Sequence, residues 1–301
     1  MNQKFVAFLL TISIIAISFA AIFVKWSDAP ATIISMYRMY LACILLLPII
    51  WIKRKEFSKL SKNEWFFLCL SGVFLALHFA LWFGSLKLTT VASSTIILSL
   101  QPIIALLGGY FFYKERTTVF TLLTIGISIV GVVLIGWGDF GLGNKYVIVG
   151  DILSFLSVIA VVGYLLIGQN KVRKISHWIY SFCVFLFAAI VLHIYNLIIG
   201  VPIMGYEAQE WGIFWLLAIF PTVAHVIFNM LLKYVNTTAI SMSILGEPVG
   251  ATILAAFLLG EQVVGLQLIG GFFVLVGVFL FIMQQNRIYQ LKKKEILNEQ
   301  G

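Results

Sequence analysis

Charge is what this sequence has least of. Only 11% of its 301 residues are Asp, Glu, Lys or Arg, while 61% are hydrophobic. A soluble globular domain carries about 25% charged residues. This chain cannot cover itself for water, and a soluble enzyme or regulatory domain is excluded. Cysteine is also sparse. Cys43, Cys69 and Cys183 fall inside apolar runs at no metal or disulfide spacing, and they read as small core hydrophobes. The sequence has no HExxH, no carboxylate pair and no glycine-rich phosphate loop. Those absences argue against zinc hydrolysis and nucleotide-driven pumping, and no residue pattern calls for a cofactor or a metal.

Long apolar runs are abundant instead. About 20 apolar residues cross a bilayer core, and runs of that order predict ten helices: 4–24, 31–52, 65–86, 91–113, 118–137, 147–168, 177–199, 211–232, 238–259 and 264–284. The fold class expected is therefore an all-α integral membrane protein. Only 53–63, 138–146 and 200–210 give connectors of any length, and the polar tail from Gln284 reads as a frayed helix end. Lys4, the run from Phe5 and Ser18-Phe19-Ala20 resemble a cleavable signal. Cleavage would remove one span of a repeat described next, so the expectation is a retained first helix.

A shift of 146 positions lays Lys25 on Lys171, Glu64-Trp65 on Glu210-Trp211, Lys87 on Lys233, Pro102 on Pro248, Glu115 on Glu261 and Gly131 on Gly277, without a gap. Residues 1–146 and 147–301 then form two five-helix repeats, the second with a short tail. The net charge of +8 would suggest nucleic acid in a soluble chain, but here the charges lie between apolar runs. With the N-terminus cytoplasmic, sixteen Lys and Arg fall inside and only Lys25, Lys87 and Lys145 outside, with Arg38 left within a span. That bias predicts a multi-pass protein of the cell membrane with both termini cytoplasmic. Five spans per half invert the second half relative to the first, the pattern of transporters that alternate access around a central cavity.

The candidate site residues are those that break the apolar pattern. Pro102 and Pro248 interrupt matching spans beside Gln101 and Glu247. They read as helix breaks lining the cavity, or as packing kinks. Glu247 alone of twelve acids lies near the middle of a span, which suits a proton or cation site or a structural carboxylate. Arg38 stands two turns inside the second span, opposite Val184 in the repeat. It can fork onto a substrate carboxylate, or snorkel, or bind backbone carbonyls. His78 with Trp82, and His225 with Asn229, share helix faces at i,i+4. Each pair reads as cavity wall or interhelical glue, and Tyr164 is a further candidate for the wall. Glu115 and Glu261 close the proline helices at structural turns. Gly126, Gly131, Gly136, Gly270, Gly271 and Gly277 permit close helix contact, within the chain or in a homodimer.

These residues also carry a resemblance. Lys25, Ala29-Pro30, Tyr37-Arg38, Leu86-Lys87, Ala92-Ser93, Pro102 and Lys114-Glu115 mark the first half. Gly168-Gln169-Asn170-Lys171-Val172-Arg173, Asn229, Lys233-Tyr234, Glu247-Pro248-Val249 and Gly260-Glu261 mark the second. The whole chain resembles the EamA-type, ten-helix members of the drug/metabolite transporter superfamily. The resemblance implies a basket-shaped carrier of small metabolites, amino acids among them. The first span departs from many relatives in showing Phe19-Ala20-Ala21-Ile22. The expected function is a secondary carrier exporting amino acids or similar amphipathic metabolites by alternating access. Proton coupling and facilitated exchange both fit. The rival is an integral-membrane enzyme acting on a lipid or prenyl substrate, which would alter its substrate where a carrier returns it unchanged. A passive channel would show flux that does not saturate.

Overall fold

The computed structural model describes residues 3–114, 118–140, 145–172, 174–262 and parts of 265–284. Its helices in chain order are α1 (Gln3–Trp26), α2 (Ala31–Lys53), α3 (Lys62–Leu88), α4 (Val91–Leu98), α5 (Gln101–Tyr113) and α6 (Val119–Phe140). They continue with α7 (Lys145–Lys171), α8 (His177–Ile198), α9 (Ala208–Leu231), α10 (Thr237–Ile244) and α11 (Glu247–Leu259). A final helical stretch lies within 265–284. Among the described residues, eight helical segments are long and apolar enough to cross a membrane, with α4 plus α5 and α10 plus α11 each counting as one. Shorter apolar helices, Val119–Gly131 within α6 and Leu268–Phe281, stand where the fifth and tenth spans were expected. The connector expected at 53–63 holds a 3₁₀ helix, Arg54–Lys59. Of that expected at 138–146, residues 138–140 and 145–146 belong to α6 and α7, and 141–144 lie outside the described residues. Glu115, Arg116, Arg173 and the tail from residue 285 lie outside the described residues.

The helix starts follow from local chemistry. Ser61 opens α3 with a capping box, its side chain accepting from the Glu64 amide while Glu64 accepts from the Ser61 amide. Thr90 caps α4 through the Ser93 amide, and Asn236 caps α10 through the Ala239 amide. Thr90 and Asn236 are 146 apart, so the repeat conserves the cap while changing the residue type. The exits of α5 and α11 match as well. Lys114 at φ 54° and Gly260 at φ 66° both take the left-handed conformation that closes a helix, and both are the counterparts of one another in the repeat.

The two broken spans have a common cause. A proline has no amide for the carbonyl four residues back, and its ring crowds that carbonyl. Four residues before Pro102 is Leu98, the last residue of α4. Four before Pro248 is Ile244, the last residue of α10. The chain tightens there into i→i+3 bonds, Ser99 to Ile96 at 2.8 Å and Leu245 to Met242 at 3.3 Å. Each second half-helix then begins with its proline at the second position, where no amide is missed. Pro48 and Pro221 sit inside continuous α2 and α9. Proline alone therefore does not make the break.

Packing obeys the exchange of halves. Helix α1 packs on α9 and α3 on α7, which are the same contact with the repeats interchanged, while α2 packs on its own counterpart α8. The same relation links α1 on α11 with α7 on α5, and α4 on α11 with α10 on α5. One continuous core runs through α1, α2, α3, α7, α8 and α9, including fully buried Phe79, Phe83, Phe185 and Phe214. Close contact within the chain is seen at one of the expected glycines. A Cβ on Gly277 would come within 2.7 Å of the Thr124 carbonyl oxygen, whereas Gly126 and Gly271 have nothing within 4 Å. Among the described residues, those two positions make no close contact within the chain.

Candidate functional site

Several of the charged and polar candidates are buried side chains on different helices. Arg38 on α2 is wholly buried, at 0% exposure, so it does not snorkel. Its guanidinium lies 3.7 Å from the centre of the Phe79 ring on α3, with Phe83 at 5.7 Å. None of its three nitrogens has a hydrogen-bond partner among the described residues, so no described backbone carbonyl holds it either. The stacking on Phe79 is worth about 2 kcal/mol when desolvated. Desolvating the ion costs several kcal/mol even after relaxation. An aromatic face alone does not balance a buried guanidinium whose hydrogen-bonding edge is bare.

Around Arg38 the aromatic rings form a connected wall. Phe79 meets His225 on α9 edge to face at 5.4 Å, and His225 approaches Tyr164 on α7 at 6.0 Å and Phe228 at 6.1 Å. His78 stacks on Trp82 at 5.8 Å and 15°, which is the i,i+4 face expected from their spacing. Both ring nitrogens of His225 and the indole Nε1 of Trp82 are buried without a protein partner.

The broken spans add two more such groups. Gln101 is the first residue of α5 and Glu247 the first of α11. Gln101 Oε1 and Glu247 Oε1 are buried and unpartnered, with the residues at 3% and 2% exposure. Glu247 stands at a helix N-terminus, where the partial positive end favours a carboxylate. No salt bridge joins Glu247 to Arg38, since no Arg38 nitrogen has a partner among the described residues. Pro102 and Pro248 are both buried beside these residues. Helix α1 seals the second break closely. Ser18 Oγ reaches the Glu247 carbonyl at 3.5 Å, and a Cβ on Gly246 would touch Ile14 at 3.1 Å.

Other candidates are satisfied by their neighbours. Tyr164 donates to Asn229 Oδ1 at 2.6 Å, and Asn229 Nδ2 donates to Ser181 Oγ on α8 at 3.0 Å. His78 Nδ1 pairs with the Ser157 carbonyl at 3.1 Å. Sequence spacing treats His225 and Asn229 as equals. In three dimensions Asn229 ties α7, α8 and α9 together, while His225 presents bare nitrogens. Phe79, which carries Arg38, was missed because one phenylalanine among 26 gives no signal.

A second polar cluster gathers at one end of the bundle. Glu210 on α9 accepts from Ser27 Oγ and, at 2.7 Å, from the Asp28 amide, both in the α1–α2 connector. Lys87 donates to the Ser27 carbonyl, and Lys25 to the Thr89 carbonyl at 2.7 Å. Glu261 accepts weakly, at 3.4 Å, from the Val91 amide at the start of α4. Glu261 thus touches an opposite half rather than only closing its own helix. The pairing of Glu64 with Glu210 was visible in the repeat, but nothing in the sequence told that only one of them would be bonded across helices.

Known proteins supply the remaining context. The model of the EamA-like transporter family matches residues 4–137 and again 148–283. An uncharacterized transporter of Clostridium kluyveri is 23% identical over 268 residues, covering 86% of each chain. A probable 4-amino-4-deoxy-L-arabinose-phosphoundecaprenol flippase subunit ArnE of Hamiltonella defensa is 38% identical over 84 residues, 28% of this chain and 74% of its own. A solved crystal structure at 16% identity superposes with a TM-score of 0.74, covering 95% of this chain and 99% of that one, which speaks for the fold alone.

Proposed function

The chain belongs to the EamA-like transporter family, and from that premise we propose that it is a secondary carrier exporting amino acids or similar small amphipathic metabolites by alternating access. The observation that supports this most is the group of buried polar atoms without protein partners on Arg38, Trp82, Gln101, His225 and Glu247. A buried unsatisfied polar group costs about 1–3 kcal/mol, more when charged. Five residues of this kind suit a protein in which a polar molecule, or water ahead of it, supplies the missing partners. The aromatic wall suits the apolar part of such a molecule.

The interchange of halves supports the motion. If α1 can pack on α9 as α3 packs on α7, either half can adopt the other's arrangement. The cavity would then open alternately to the two sides. The protein sits in the cell membrane in this reading, with both termini cytoplasmic and no chemical change made to the cargo. Glu247 is the group through which a proton would be carried if export is coupled to one.

The test is export from cells and flux in liposomes. Culture medium from cells producing the wild type is profiled beside medium from cells producing Glu247→Gln at matched membrane levels. Amino acids accumulating outside only with the wild type support the proposal. Media indistinguishable from those of an empty vector count against it. The likeness to a flippase subunit motivates a second arm, in which liposomes are assayed for translocation of a fluorescent polyprenyl-phosphate sugar. Movement of that lipid without movement of amino acids would replace amino-acid export by lipid flipping.

A further inference from the structure

Resting on the carrier reading above, we propose that the transported molecule carries a carboxylate and that Arg38 is the residue that selects it. Three observations converge on Arg38. It is fully buried, and all three of its nitrogens lack a protein partner. Phe79 occupies one face of the guanidinium at 3.7 Å, which orients the plane and leaves the in-plane N–H edge as the part able to bond. That edge is a planar fork matching the two oxygens of a carboxylate. Glu247 does not bond it: no Arg38 nitrogen has a partner among the described residues.

The rest of the neighbourhood fits an organic acid better than a bare anion. His225 lies 5.4 Å from the Phe79 ring and 6.1 Å from the Phe228 ring, an aromatic surface able to receive a hydrocarbon or aromatic portion. Glu247 Oε1, buried without a partner among the described residues, can accept from a cationic amine where one is present. Arg38 has no twin, because Val184 takes its place in the second repeat and is itself fully buried. The carboxylate therefore stays with the first half of the molecule in both arrangements of the carrier, while the second half moves around it.

The test uses purified full-length protein in detergent. Thermal midpoints are recorded with the free acids and methyl esters of leucine, threonine and lactate, and with 3-methylbutylamine, which is the leucine skeleton without its carboxylate. The expected result is that at least one free acid raises the midpoint, while its ester and the amine do not. In Arg38→Gln the half-effective concentration of that acid rises tenfold or more. Arg38→Lys, which keeps the charge and loses the fork, falls between. Three results overturn the proposal: no free acid shifts the wild type, esters or the amine shift it as much as acids, or Arg38→Gln responds as the wild type does. Should Arg38→Gln not fold, the comparison of acid with ester in the wild type decides alone. Flux of the same compounds into liposomes separates this proposal from the carrier reading. An amine crossing as fast as its acid would leave a carrier without carboxylate selection. Acids that bind and never cross would leave Arg38 as an acid-binding residue in a protein that is not their carrier.

Discussion

At the scale of single residues, the polar groups of the membrane interior divide by whether the protein satisfies them. Asn229 is at 0% exposure and bridges Tyr164 to Ser181. Truncation in Asn229→Ala leaves the Tyr164 hydroxyl buried without its acceptor, at a cost of about 1–3 kcal/mol. The expected outcome is a lowered thermal midpoint, read on purified protein, with half-effective acid concentrations changed less than threefold in the molecules that remain folded. Glu247 belongs to the other group. Its Oε1 has no partner to lose, so Glu247→Gln should hold the midpoint near that of the wild type and reduce liposome flux tenfold or more. A variant as active as the wild type would take Glu247 out of the transport step.

At the scale of elements, the half-helices depend on where the backbone lacks an amide. In Pro248→Ala the new amide can bond the Ile244 carbonyl, and α10 can run on into α11. That continuation would turn Glu247 away from the position it takes as the first residue of a helix. We expect flux to fall at least tenfold while the thermal midpoint is unchanged or higher. The control is Pro221→Ala inside the continuous α9, where flux should stay within about twofold of the wild type, in keeping with the tolerance of membrane helices for proline. Equal flux in Pro248→Ala and Pro221→Ala would show that the break is not needed.

At the scale of the whole molecule, the two repeats are alike in sequence and unlike in their bonds. Glu210 is held against the α1–α2 connector, while its counterpart Glu64 bonds only its own cap at Ser61. The described arrangement is fastened at the end that carries Ser27, Lys87 and Glu210. Glu210→Ala should therefore loosen that end, and Glu64→Ala should not. The readout is labelling by a membrane-impermeant maleimide at Ser35→Cys, a fully buried position on α2, with the three native cysteines replaced. Faster labelling is expected in Glu210→Ala alone. Equal rates in both variants would remove Glu210 as the fastening.

Much of this architecture is written along the chain. Hydrophobic length sets the spans, because a bilayer core has one thickness and a helix one rise per residue. Among the described residues, eight of the ten expected spans coincide with helical segments long enough to cross a membrane, and shorter apolar helices stand at the other two. A gapless shift of 146 residues gives the repeat, and odd spans per repeat give its inversion. Proline spacing locates the breaks, since the missing amide acts on the carbonyl four residues back. Tertiary structure decides matters that depend on neighbours remote in sequence. Whether a buried polar atom has a partner cannot be read from its own helix: His225 and Asn229 sit one turn apart and differ because only Asn229 meets Tyr164 and Ser181. The place of Arg38 over Phe79, the bonding of Glu210 but not Glu64, and the continuity of α9 through Pro221 are likewise outcomes of packing. Periodicity tells a side chain which face it is on, and only the opposing helices determine what it meets there.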